Sequence, residues 1–271
     1  MLKNYKILSE ISSGNFSNVY KCCDIKTQKC YAIKSDNTKL LKHEANIYNK
    51  LREIENIPKI YDFFCLDTKY FLVLDLMSCN LIDYKNRNYE SDKYTDKLII
   101  IITQLLTTIE KIHNKSILHR DLKPNNICFD KNHKLFVIDF GLSKDYIVNN
   151  QHIENKKINN IIGSSNFCSL NVLNLLQPSR RDDIESIIYI LIYLLLNDKN
   201  YTLFNNLALS NKKDISTIEK ILSLNNNNNN YKNSFGENFC KNIILILNYT
   251  RRLRFDQQPN YSYILKQLTN F

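Results

Sequence analysis

Five residues at fixed spacing could do chemistry together. The run His119-Arg120-Asp121-Leu122-Lys123-Pro124-Asn125-Asn126 fits the pattern H-R-D-x-K-x-x-N, and Asp139-Phe140-Gly141 follows eighteen residues after Asp121. Phosphoryl transfer needs a group to orient the attacking hydroxyl, cations to neutralise the β- and γ-phosphates, and donors that hold the triphosphate in line. Asp121 can accept the proton of an alcohol, and Lys123 can reach the transferring phosphate as a point charge. Asn126 and Asp139 offer hard oxygen ligands for Mg²⁺. Upstream, Lys34 closes the strand-like run Tyr31-Ala32-Ile33-Lys34, and Glu44 lies one turn into a helix-like segment. A lysine that bridges two phosphates must be held in place, and a carboxylate on an adjacent helix can hold it. Alone, either residue reads as a solvated charge; their order ahead of Asp121 and Asp139 gives them meaning. The small molecules this chemistry calls for are a triphosphate and Mg²⁺.

These residues need a scaffold. Short β-rich runs over residues 5–11, 18–25, 29–34, 60–66 and 70–76 surround one helical segment around 38–53. That pattern is a small antiparallel sheet carrying one helix, a lobe of about residues 1–77. Leu98, Ile101, Ile102, Leu105, Leu106, Ile109 and Ile112 then have the spacing of a buried helix, with further helices expected at 179–196, 235–249 and 261–268. Residues 78–91 are polar and without strong periodicity, so the boundary is set after Met77. The expectation is an α+β chain, bilobal, forming a single domain over residues 1–271, with a larger and mainly helical lobe over about 78–271. The tract Asn225 to Asn230 is too polar to bury surface and reads as a loop.

At 271 residues, 44% hydrophobic and 24% charged, the chain can bury a real core, which excludes a wholly disordered protein. Its net charge of +10 favours acidic partners by long-range attraction. No dense Lys/Arg run is interleaved with aromatics, so no nucleic-acid site is expected. Eight cysteines are scattered without a CxxC pair, which argues against a zinc knuckle or a disulfide framework and suggests reduced core thiols. No apolar h-region follows the N-terminus, and the longest apolar run, residues 187–196, is too short to span a bilayer. An intracellular, soluble monomer with no membrane association is expected.

The ordered set Lys34, Glu44, Asp121, Asn126 and Asp139 resembles eukaryotic protein kinases. Finer features resemble the casein kinase I family. They are Ser179-Arg180-Arg181-Asp182-Asp183-Ile184-Glu185-Ser186, the run from Leu253-Arg254-Phe255 to Tyr261-Ser262-Tyr263, and Ser169-Leu170-Asn171 where most kinases carry Ala-Pro-Glu. The resemblance covers nearly all of residues 5–268. It implies a protein-kinase fold and transfer of the ATP γ-phosphate to protein Ser/Thr hydroxyls. It makes Leu74 the gatekeeper and Asp75-Leu76-Met77 the hinge that bonds adenine. Ile11, Val19, Ala32, Cys128 and Ile138 become walls of the purine site, and Asp183 an anchor of the catalytic loop.

The sequence departs from that pattern at Tyr201, where the family has a tryptophan, at Ile188, where it has a glycine, and at two places that bear on the chemistry. The phosphate-covering turn, G-x-G-x-x-G in the family, reads Ser12-Ser13-Gly14-Asn15-Phe16-Ser17, followed by Asn18, and keeps only the middle glycine. Glycine lets backbone amides approach phosphate without a Cβ penalty, so Ser12 and Ser17 are expected to weaken ATP binding without abolishing it. Asn166 replaces the arginine that would grip a phosphorylated substrate. Arg180, Arg181, Lys156 and Lys212 could still attract acidic protein substrates. No threonine lies between Asp139 and Ser169, and the chain stops just past the last family helix, so a bare, constitutively active catalytic domain is expected. The alternative is a catalytically weak or inactive pseudokinase scaffold of the same fold. A small-molecule phosphotransferase is disfavoured by the complete His119-Arg120-Asp121 and Lys123 pattern.

Overall fold

The computed structural model describes residues 2–13, 17–91, 94–209, 213–226 and 236–269. They form two compact units of an α+β chain: residues 1–80 with 127–143, and residues 81–126 with 144–271.

The first unit is built on a five-stranded antiparallel sheet. Its strands are β1 (Tyr5–Ser13), β2 (Asn18–Asp24), β3 (Cys30–Asp36), β4 (Ile60–Leu66) and β5 (Lys69–Leu74), in the order β1-β2-β3-β5-β4. Side chains alternate across a strand, and β3 shows the consequence. Tyr31 and Ile33 are buried, while Cys30, Ala32 and Lys34 lie on the other, half-buried face. The buried face joins Tyr5, Cys22, Tyr31, Ile33, Phe71 and Val73 into one apolar cluster. Helix α1 (Leu40–Leu51) packs on β3, β4 and β5, burying Leu41, Glu44, Ala45, Ile47, Tyr48 and Leu51 along one stripe.

Three short strands, β6 (Cys79–Asn80), β8 (Ile127–Phe129) and β9 (Leu135–Val137), form a second antiparallel sheet in that order; β7 (Ile117–Leu118) belongs to the second unit. Residues 127–143 therefore return to the first unit instead of staying with the helices that precede them. Hydrogen bonds hold them there. Asn56 donates its side-chain amide to the Leu135 carbonyl at 2.8 Å and accepts from Val137 N–H at 2.9 Å. Tyr48 Oη accepts from Asp139 N–H at 3.2 Å.

The second unit is helical: α2 (Leu81–Asn88), α3 (Tyr94–Asn114), α4 (Leu170–Leu173), α5 (Arg180–Leu195), α6 (Asp198–Leu209), α7 (Ile215–Asn226), α8 (Glu237–Arg252) and α9 (Tyr261–Thr269). The core of this unit is α5, buried from Asp182 to Leu195 and packed against α3 and α8. At its start Ser179 N–H donates to the Asp182 carboxylate at 2.7 Å, which stabilises the first turn. The polar stretch after Met77, which shows no strong periodicity in sequence, contains α2. Only Leu81 and Lys85 of that helix are buried, too few to register as a period. Asn225 and Asn226 end α7, so the asparagine tract begins inside a helix; its residues 227–230 lie outside the described residues. Among the described residues no helix is long and apolar enough to cross a membrane. The reading of all eight cysteines as core thiols is corrected. Cys22, Cys128 and Cys168 are buried, but Cys65 is exposed and Cys23, Cys30, Cys79 and Cys240 are half-buried, because strand alternation and helix faces put them on outer surfaces.

Candidate functional site

The residues singled out by spacing fall into two sets, one on each unit.

On the first unit, Lys34 projects from β3 and its Nζ donates to Glu44 Oε2 at 2.8 Å and to Asp139 Oδ1 at 2.7 Å. Glu44 reaches it from the packed face of α1 and is 2% exposed, whereas the Asp139 side chain is 38% exposed. Burial pushes Glu44 up, Lys34 opposes that push, and Asp139 adds to it. For Lys34, burial alone would lower the ammonium, but the two carboxylates hold it above the ordinary lysine range. The lysine therefore stays charged, with its position fixed from two sides. Asp139 has a positive φ of 67°, a strained backbone for a residue with a Cβ. It is held by the Tyr48 hydroxyl, and the next residue, Phe140, is fully buried edge-on against the Tyr48 ring at 5.0 Å.

All the residues assigned to the nucleotide by resemblance that the structure describes also lie on this unit. Val19 pairs with Lys34, and Ala32 pairs with both Lys21 and Leu74. Leu74 is buried at the end of β5, Cys128 is buried on β8, and Ile138 follows β9 half-buried. Asp75 is tied locally: its carboxylate accepts from Lys59 N–H at 2.9 Å and Tyr61 Oη at 2.8 Å, which braces the segment running to Met77. Ile11, Ser12 and Ser13 end β1 exposed, with Ser13 Oγ donating to Asn18 Oδ1 at 2.9 Å across the hairpin; Ser17 precedes β2. Gly14, Asn15 and Phe16 lie outside the described residues.

On the second unit, the Asp121 carboxylate accepts from Ser164 and Lys123, and at 3.4 Å from the Asn126 amide. Ser164 supplies its N–H and its hydroxyl to Oδ1, both at 2.9 Å, and Lys123 Nζ donates to Oδ2 at 2.6 Å. Asn126 closes the loop by donating its amide to the Asp121 carbonyl at 2.9 Å, which leaves its side-chain oxygen as the end available to a cation. The backbone before Asp121 is strained, with Arg120 at φ 67°. Asp183 of α5 holds it: Oδ2 accepts from His119 N–H at 2.8 Å, and Oδ1 accepts from Arg120 N–H at 2.9 Å. His113 Nε2 lies 2.9 Å from Oδ2, and its other ring nitrogen bonds the Tyr261 hydroxyl. Burial would raise the Asp183 carboxyl, but His113 and these backbone donors hold it below its ordinary value.

Gly163 shows why the neighbouring segment can reach Asp121. Its φ is +84°, and a Cβ there would stand 2.4 Å from the Arg120 carbonyl, so a side chain would push Ser164 away. The segment that follows is clamped from below. Ser169 Oγ and Asn171 Nδ2 both donate to Asp182 Oδ1, at 2.6 and 3.0 Å, so the Ser-Leu-Asn sequence works as a two-donor grip on one carboxylate. Lys213 is fully buried, lies 4.0 Å above the Tyr189 ring, and donates to the carbonyls of Ser165, Asn166 and Cys168 at 3.3, 2.9 and 2.8 Å. Burial pushes its ammonium down to about 8. Arg251 bonds Glu185 at 2.9 Å, Tyr189 at 2.8 Å and the Lys213 carbonyl at 2.6 Å, completing the support.

Ser164, Lys213, Tyr48 and the His113–Tyr261 pair were not identified from sequence. The one available signal was Gly163 beside Ser164; a lysine in a polar stretch gives none. The Arg180 and Arg181 guanidinium groups donate to the Asp256 and Leu253 carbonyls respectively, and Arg180 also stacks 4.8 Å over Tyr146. Lys212 lies outside the described residues.

The chain matches known proteins over nearly its whole length. Residues 5–264 match the family model described as protein kinase domain. A probable casein kinase I homolog of Encephalitozoon cuniculi is 31% identical, in an alignment that covers 97% of this chain and 83% of the relative. With Lys34 gripped by Glu44 and Asp139, and Asp121 anchored beside Lys123 and Asn126, the chain belongs to the protein kinase family and, within it, to the casein kinase I group.

Proposed function

We propose that this protein is an active serine/threonine kinase that transfers the γ-phosphoryl group of ATP to hydroxyls of protein substrates, acting as a monomer. The anchoring of Asp121 carries this reading. A carboxylate held by Ser164 and Lys123 is oriented to accept a hydrogen bond from an incoming alcohol, which supports general-base chemistry over a binding role alone. Lys34, fixed by Glu44, would take the α- and β-phosphates, and Lys123 the group in transfer. Ile11, Val19, Ala32, Leu74, Cys128 and Ile138 would line the purine site, with the backbone of Asp75 and Met77 bonding adenine.

The residues fit Mg²⁺. Asp139 presents a partly exposed carboxylate, and Asn126 turns its amide nitrogen inward, so both offer hard oxygens. Among the described residues no group of three or more His, Cys, Asp or Glu side chains could hold a metal alone, which suits an ion that draws its remaining ligands from substrate phosphates and water. When bound, the ion neutralises phosphate charge. Asp139 and Asn126 would hold it.

Two further expectations follow. Lys213, Ser169 and Asn171 already brace residues 164–171 without any added phosphate, which supports activity that needs no phosphorylation in that segment. Arg120 and Lys156 lower the ammonium of Lys144 after burial has done so, the mark of a like-charged cluster. That cluster supports a preference for acidic substrates, whereas Asn166 supplies no charge for a phosphorylated one. The test is transfer of labelled γ-phosphate to casein by the wild type, Lys34→Met and Asp139→Asn. Label on Ser and Thr that is lost in both variants is the expected result. Partner binding without transfer by the wild type would overturn it in favour of a scaffold.

A further inference from the structure

A pair of cysteines on the first unit has no part in phosphoryl transfer. Cys23 and Cys30 face one another directly across the β2–β3 ladder, and their sulfurs are 2.9 Å apart. The next position along the ladder is a hydrogen-bonded one, since Asp24 N–H donates to the Lys29 carbonyl at 2.9 Å. Positions alternate in an antiparallel pair, so Cys23 and Cys30 occupy the narrow kind, with Cα atoms about 4.5 Å apart. That lies inside the roughly 4.4–6.8 Å span a disulfide tolerates. The turn joining the strands is fixed by Asp24 Oδ1, which accepts from Lys26 N–H at 3.0 Å and Thr27 N–H at 2.7 Å, so the two thiols are held in register.

Both cysteines are half-buried and open to a small reagent. Cys22, next in sequence, points to the opposite face and is fully buried; burial pushes its thiol up to about 11, which makes it unreactive. The dithiol shares its face of the hairpin with the pairs Lys21–Ala32 and Val19–Lys34.

We propose that Cys23 and Cys30 form a redox modification site, a dithiol that a low-molecular-weight disulfide converts into an intramolecular cross-strand disulfide. The thiolate of one cysteine attacks glutathione disulfide, breaking its S–S bond and releasing one glutathione thiolate as the mixed disulfide forms. The second cysteine, as thiolate, then attacks the protein sulfur of that mixed disulfide, forms the Cys23–Cys30 bond and expels the second glutathione thiolate. The protein loses two electrons and two protons, and both glutathiones leave as thiols.

The test treats the reduced full-length protein with glutathione disulfide and maps it with trypsin without reduction. The expected product has a mass about 2 Da below the reduced chain. Its peptides 22–26 and 30–34 are joined by a bond that a reductant cleaves. Cys23→Ser and Cys30→Ser, both surface changes, should each stop at a glutathione adduct on the remaining cysteine. Three results would overturn the proposal: a wild type that keeps stable glutathione adducts with no linked peptide, a wild type whose thiols stay unmodified, or a linkage that survives in Cys23→Ser. None of these readouts depends on kinase activity.

Discussion

Asp183→Asn replaces one oxygen of a fully buried carboxylate that accepts from three donors, so its cost can be worked from the geometry. Oδ1 serves Arg120 N–H, while Oδ2 serves His119 N–H and His113 Nε2. In the less damaging rotamer the amide oxygen keeps the two-donor side and the NH₂ group faces Arg120 N–H. One charge-assisted bond is then lost, at about 1.5–3 kcal/mol, and a buried donor is left opposing another. The two surviving bonds fall to roughly half their strength, since their acceptor is no longer ionised. The sum is about 3–5 kcal/mol. For a chain of this size each 1 kcal/mol moves Tm by about 2 °C, so the variant should melt about 6–10 °C below the wild type at pH 7. The pH dependence has a definite sign. The folded pKa of Asp183 is held below its ordinary value of 3.8. Its contribution is therefore complete above that value and is lost as pH falls through the folded pKa. The gap between variant and wild type should be constant from pH 7 to 5 and close only in strong acid. A variant melting within about 1 °C of the wild type, or a gap that widens on acidification, would refute the reasoning.

Ser164→Ala removes the hydroxyl donor to Asp121 and leaves the backbone N–H in place. Loss of a bond to a charged group, about 1.5–3 kcal/mol, should lower Tm by about 3–6 °C and, by freeing the Asp121 carboxylate, lower kcat by about 10-fold or more with KM for ATP nearly unchanged; steady-state kinetics on a serine peptide would show it. Lys213→Met addresses the support beneath the same segment. Because burial lowers Lys213 from 10.5 to about 8, the unfolded chain binds a proton that the folded chain does not between those values. The wild type should therefore gain on the order of 3 kcal/mol over Lys213→Met as pH rises from about 8 to 10.5, read by urea unfolding at both pH values. Parallel pH slopes would contradict the burial argument.

What could be read in the sequence followed the physics of each residue. Polar residues in a fixed order, the charged Lys34, Glu44, Asp121 and Asp139 with the amide Asn126, are informative because their types have few alternative reasons to recur at those separations. The strands were legible where alternation is clean, as at Tyr31 and Ile33 in β3. Helix α2 was not, because its buried side is only Leu81 and Lys85. The return of residues 127–143 to the first unit depends on Asn56 bonding Leu135 and Val137, a pairing across some eighty positions that no local pattern encodes. Lys213 was hidden for the opposite reason: lysine is almost always solvated, and only three converging carbonyls reveal an exception. The contacts of Arg180 and Arg181 with the Asp256 and Leu253 carbonyls were equally illegible, because backbone acceptors leave no mark in a sequence.

In the proposed reaction Asp121 is the residue on which transfer would most directly depend, and Asp121→Asn tests it with little change in shape. Single-turnover transfer from Mg²⁺-ATP to a serine peptide should fall about 10²-fold or more in this variant, in the range expected for loss of a general base, while its affinity for ATP stays at the wild-type level. Transfer at the wild-type rate by Asp121→Asn would show that the chemistry runs without the carboxylate that Ser164 and Lys123 hold in place.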